Sequence, residues 1–143
     1  MGIESRTQLG SVNDDGVYAL RFRRLWQGLG WMMVLIVVWL SLTPSPPQPP
    51  AVLSWDKADH FIAYGGLMYW FAQAFIRHWR WPLFLIGLGV VLEVLQGWGG
   101  VRTFDPFDML ANILGVLLGY GLASTFLGQA VASIDRRLLR MTG

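Results

Sequence analysis

Four times along this chain an apolar run reaches about 18 to 20 residues. A helix of that length, rising 1.5 Å per residue, crosses a hydrocarbon core roughly 30 Å thick. The runs extend from about Leu25 to Leu42, Ala58 to Ile76, Trp81 to Trp98 and Phe107 to Phe126. Lipid offers backbone groups no partner, so each run is committed to helix. The expected fold is an all-α membrane protein with four transmembrane helices. Residues 1–24 are expected to form an N-terminal tail, 25–127 the membrane domain and 128–143 an amphipathic, basic C-terminal tail. In that last segment Val131, Ile134, Leu138 and Met141 fall on one side of a helix and Arg136, Arg137 and Arg140 on the other. That pattern suits a helix lying in the membrane interface.

The connections agree with this division. Five prolines between Pro44 and Pro50 rule out helix there and predict an extended spacer. Arg77-His78-Trp79-Arg80 is a tight polar turn, and Gly97 to Phe107 is a glycine-containing loop. The first run is too long for a signal peptide, and the Thr43-Pro44-Ser45-Pro46-Pro47 that follows is no cleavage site, so it is read as an uncleaved span. There are no cysteines, which excludes disulfides, thiolate catalysis and Cys-ligated zinc. The pI near 9.4 does not point to nucleic acid, because the basic residues flank the apolar runs and form no surface stripe.

The basic residues set the orientation instead. Arg6, Arg21, Arg23 and Arg24 precede the first span, Arg77 and Arg80 join the second to the third, and Arg136, Arg137 and Arg140 follow the fourth. By the positive-inside rule both termini are cytoplasmic. Trp26, Trp79 and Trp81 then suit the inner aromatic belt, and Trp55 and Trp98 the outer one. Asp135 is expected to be a solvated cytoplasmic acid. Asp56, Lys57, Asp59, His60, Glu93, Gln96, Arg102, Asp105, Asp108 and Asn112 all collect at the outer end. Ionisable groups at membrane depth are costly, and by default they mark function.

Helical spacing sorts this collection. Asp108, Asn112, Gly115 and Gly119 share a narrow stripe of the fourth span. The two glycines form a small-xxx-small pair that lets helices approach. Asp108 has a second reading, as a helix N-cap; Asn112 is one turn too deep for that and is expected to hydrogen-bond between helices. Glu93 and Gln96 lie one turn apart, Glu93 about 7 Å below Trp98. A carboxylate there is protonated, paired or exposed to a wet cavity; Arg102, Lys57 and His60 are its available partners. His60 and Tyr64 share a face of the second span. A faint echo relates Asp56-x-x-Asp59-x6-Gly66 to Asp105-x-x-Asp108-x6-Gly115.

These residues resemble the VanZ-like family of bacterial membrane proteins. The resemblance runs through Asp56-Lys57-x-x-His60-Phe61-x-x-Tyr64, Glu93-x-x-Gln96 and Arg102-Thr103-Phe104-Asp105-x-x-Asp108-x-x-Ala111-Asn112-x-x-Gly115, and covers about Leu25 to Leu127. It implies a small multi-pass protein of the bacterial cytoplasmic membrane. It assigns no reaction, because none is common to the family.

Three functions fit. The first is a binding or envelope-modulating protein. Lys57 and Arg102 hold the phosphate or carboxylate of a membrane lipid or cell-wall precursor, and Asp59, His60, Tyr64, Glu93, Gln96, Asp105, Asp108 and Asn112 line the same ligand site. The second is an accessory subunit of a larger membrane complex, with the polar cluster as an interhelical lock. The third is an intramembrane enzyme on a lipid-linked phosphate, with His60 or Glu93 as acid or base; there the Asp56/Asp59 and Asp105/Asp108 pairs would hold Mg²⁺. No nucleophile elbow, P-loop or HExxH signature supports the third, so no cofactor and no metal site are expected.

Overall fold

The computed structural model describes residues 19–44, 56–100 and 103–142, the side chains of Asp56 and Thr142 excepted. Residues 1–18 of the N-terminal tail, most of the proline-rich spacer, Trp55 and Arg102 lie outside the described residues. Among the described residues five α-helices follow one another: α1 (Arg23–Leu42), α2 (Asp56–Ala74), α3 (Arg80–Trp98), α4 (Pro106–Leu122) and α5 (Ala130–Thr142). A short 3-10 turn, Phe126–Gln129, separates the last two.

Helix ends follow local chemistry. Thr43 precedes a proline and turns extended, which stops α1; its hydroxyl donates to the Trp39 carbonyl at 2.6 Å. Helix α4 opens with Pro106 in its first turn, and the Asp105 side chain accepts the Phe107 amide at 2.9 Å. The cap is therefore Asp105. Asp108, read above as a possible cap, sits inside the first turn of the helix and is buried.

α1 and α3 are each long and apolar enough to cross a membrane; α4 and α5 together would make a third span, bent by 73°. The described chain thus holds two or three candidate spans by length and composition. α4 is only 17 residues long, because the helix ends at Leu122 and not near Phe126 as expected. α2 falls short for a different reason. It opens on Asp56, Lys57, Asp59 and His60, but it is also the central helix, packed against each of the other four. Tyr64, Leu67, Met68, Phe71, Ala72, Ala74 and Phe75 are all buried. A helix covered along most of its length by neighbours needs less apolar surface to stay in a bundle.

The closest pairing is α2 with α4. A methyl group on Gly115 would overlap the Phe61 carbonyl oxygen, and one on Gly119 would overlap that of Gly65. The backbones touch, as a small-xxx-small stripe permits. The repeat echo does not survive this geometry: Gly66 faces open space, whereas Gly65 makes the contact.

The end of the bundle that carries the basic turn is closed by aromatic and polar contacts. Phe71 stacks on Phe75 at 4.7 Å, and Trp31, Trp81 and Phe84 pack edge-on around them. Trp26, expected in an interfacial belt, is a core residue. Its indole donates to Asp135 at 2.7 Å, and the same carboxylate accepts the amides of Arg21 at 2.7 Å and Phe22 at 3.0 Å. Asp135 is therefore not a solvated acid. It is 1% exposed and caps the start of α1 from the last helix. Gln73 accepts the Val131 amide at 3.0 Å, which fixes the start of α5. The buried stripe of α5 runs through Val131, Ala132 and Asp135, while Ile134 and Met141 are exposed. The helix is docked onto the bundle on one side and presents apolar and basic residues on the other.

Replacing Gly119 by Val should force α2 and α4 apart and cost about 1–3 kcal/mol, the usual cost of overpacking. Gly121, two residues on and in open space, should accept Ala with no loss and a gain of up to about 1 kcal/mol in helix propensity. Thermal unfolding of both variants in detergent measures the contrast.

Candidate functional site

At the opposite end of the bundle, α2, α3 and α4 bring their polar residues together. The register of the α2–α4 contact decides which ones meet. Phe61 touches Gly115, so His60 lies beside Asn112 and Asp108, one and two turns above Gly115. His60 Nδ1 is 3.2 Å from Asn112 Oδ1, and His60 Nε2 is 3.8 Å from Asp108 Oδ2. The Asn112 amide thus orients the ring, and Nε2 is the nitrogen turned toward Asp108.

Lys57, one turn above His60, closes the mouth. Its ammonium donates to Asp105 Oδ2 at 2.7 Å and reaches Asp108 Oδ1 at 3.4 Å. The Lys57 and Asp105 side chains are about one-third exposed, whereas Asp108 is buried. The Lys57 ammonium, joined by the Phe107 amide, holds the Asp105 carboxyl below its ordinary range.

Glu93 enters from α3 and is 2% exposed. It accepts the Asp105 amide at 2.9 Å, which ties α3 to the N-cap of α4. It makes no ion pair with Lys57, one of its expected partners. Gly89, one turn along the same helix, leaves the space that Asn112 and Tyr64 fill; a Cβ there would lie 2.8 Å from the Asn112 amide nitrogen. His60, Glu93 and Asp108 thus form one group, whose potential ligand atoms all lie within 4.8 Å of one another. The sequence reading held all three residues but did not see this grouping, and it looked for a metal between carboxylate pairs instead. The missing signal was register, because the three residues come from three helices.

Of the remaining sequence candidates, Tyr64 and Asn112 line the floor of this cluster, and Gln96 stands apart. Gln96 is buried and donates to the Ser41 carbonyl at 2.7 Å, pinning the end of α1 to α3. Asp59 is half-buried and makes no hydrogen bond or ion pair among the described residues. Arg102 lies outside them. Ser41, whose carbonyl helps to close this end, is a backbone contribution with no signature in the sequence.

Asp105 gives the cluster an acid limit. Its carboxyl is held low in the folded chain, so its contribution to stability is full above the ordinary carboxylate pKa of about 4. That contribution is lost as pH falls from there through the folded-state value. Thermal midpoints followed from pH 7 to pH 3 should fall in the wild type over this range. In Lys57→Ala the fall should be smaller, because the main cause of the lowered value is gone.

Comparison with known proteins adds one finding to this geometry. No curated protein and no solved structure matches the chain. The family model described as VanZ/LLP1 matches residues 21–127, a stretch that starts just before α1, ends in the turn after α4 and contains every residue of the cluster. On that match, over well more than half of its length, the chain belongs to the VanZ/LLP1 family.

Proposed function

We propose that this VanZ-like membrane protein binds a cell-envelope lipid or precursor at the outer leaflet of the bacterial cytoplasmic membrane. In this reading α1 to α4 all lie in the bilayer, both termini are cytoplasmic, and the cluster around His60 opens outward.

The observation that carries the reading is a buried, cross-linked polar group at one end of an otherwise apolar bundle. Its energetics favour function over mere stability. Ionisable groups in a membrane bundle are costly and mark function by default, and an interhelical hydrogen bond returns only about 0.6 kcal/mol. Glu93 and Asp108 are both buried. Lys57 at the mouth and Arg102 in the adjoining loop supply cationic donors for a phosphate or carboxylate. His60, Asn112 and the carboxylates behind them face the hydroxyl or amine groups such a headgroup carries.

The orientation is supported by the grouping of Arg21, Arg23, Arg24, Arg77, Arg80, Arg136, Arg137 and Arg140 at the end away from the cluster. The chain has no native cysteine, so single replacements read its topology directly. Thr103→Cys should react with a membrane-impermeant maleimide on intact cells, and Met141→Cys only after lysis; the reverse pattern would invert the proposed orientation.

Binding is tested with the purified chain in nanodiscs of neutral lipid. Phosphatidylglycerol and an undecaprenyl-phosphate-type lipid serve as the added probes. Saturable binding of either is expected, weakened about tenfold or more in Lys57→Ala, by analogy with a charge-assisted hydrogen bond worth about 1.5–3 kcal/mol. Equal binding by wild type and variant removes the cluster from the reading.

A further inference from the structure

The described cluster has an imbalance that a headgroup does not correct. Glu93, Asp105 and Asp108 are three carboxylates; Lys57 pairs with two of them, and the His60 ring stands against Asp108. Lys57 takes Asp105 and one oxygen of Asp108. Glu93, 2% exposed, receives one backbone amide and no cation. The second oxygen of Asp108 faces His60 Nε2 at 3.8 Å, too far for a hydrogen bond. The interior of the cluster therefore brings one potential ligand atom each of Glu93, Asp108 and His60 within 4.8 Å of one another.

We propose that His60, Glu93 and Asp108 hold a single divalent transition-metal ion, of the Zn²⁺ or Mn²⁺ kind, between α2, α3 and α4. The donor set is one imidazole nitrogen and two carboxylates. The nitrogen favours zinc and its neighbours over Mg²⁺ and Ca²⁺, and the carboxylates also admit manganese. Three protein ligands leave at least one coordination position open. Bonds near 2.1 Å place tetrahedral donors about 3.4 Å apart, so a group already within 4.8 Å needs only small side-chain rotations to close.

The surroundings are built as metal ligands require. Asn112 Oδ1 holds His60 Nδ1 and presents Nε2 inward, the arrangement by which a ligating histidine is oriented. The Asp105 amide holds one oxygen of Glu93, and Lys57 holds the outer oxygen of Asp108, so each carboxylate has its other oxygen left for the ion. The ion would neutralise the excess negative charge without displacing Lys57 from Asp105. This inference is separate from the headgroup reading: either can fail while the other stands.

The test uses the full chain without an affinity tag, in detergent, stripped with chelator and titrated with Zn²⁺, Mn²⁺ and Mg²⁺ in the absence of lipid. One Zn²⁺ or Mn²⁺ per chain is expected by calorimetry and elemental analysis, with a rise in thermal midpoint on loading. Glu93→Gln and Asp108→Asn keep the shape of the side chains and should abolish the one-to-one binding. Asn112→Ala should weaken it about 10–100-fold, and Glu4→Gln, in the N-terminal tail, should leave it unchanged. Absence of saturable binding by the wild-type chain overturns the proposal. So does equal binding by the Glu93 and Asp108 variants, or a loss in Glu4→Gln as large as theirs, which would mean diffuse attraction to acidic residues.

Discussion

Two carbonyl oxygens of α2, those of Phe61 and Gly65, lie where any side chain on Gly115 or Gly119 of α4 would have to go. That backbone contact sets the register of the two helices, and nearly everything at the polar end follows from it. In lipid there is no hydrophobic drive between helices, so close van der Waals packing must hold them. A pair of glycines one turn apart supplies it. Once Phe61 is seated on Gly115, His60 meets Asn112, and Lys57 reaches Asp105 and Asp108. Sliding the contact by one turn would break these pairings.

The two ends of the bundle use polar groups differently. At the Arg-rich end, Asp135, Gln73 and Arg77 satisfy backbone groups, close helix termini and join elements. Their donors and acceptors are matched, which is the pattern of structural hydrogen bonding. At the other end the carboxylates outnumber the lysine that pairs with them, and two of them converge with a histidine. The contrast is one of charge balance, not of burial, since both ends contain acids that are almost wholly out of solvent.

The four apolar helices were legible because length and apolarity are local properties, and the expected starts fall within two residues of those observed. Candidate site residues were legible for the same reason: an ionisable group in an apolar run is visible without a structure. Contacts between helices were not. Periodicity gives the angle of a residue on its own helix and says nothing about which helix faces it. Asp108 looked like a cap because it stands at an N-terminal end, yet the chain turns extended three residues earlier and Asp105 takes the role. Asp135 looked solvated because its neighbours Arg136 and Arg137 are basic. Val131 and Asp135 in fact form the docked stripe, and the apolar Ile134 faces outward. Gln96 was grouped with Glu93 by spacing, but its partner is a carbonyl at the end of α1.

Asp135 makes the fold a closed circuit. The amides of Arg21 and Phe22, just before α1, and the Trp26 indole within it are all received by one carboxylate of α5. A ribosome delivers these pieces in order, so α1 is made with these donors unmet. It stays so until more than one hundred further residues have been made. Completion of the last helix is therefore the event that finishes the first. Shortening the chain from its far end would injure the beginning of the bundle as much as the end. A cell's quality-control machinery could read the incomplete state there, at the mouth of α1.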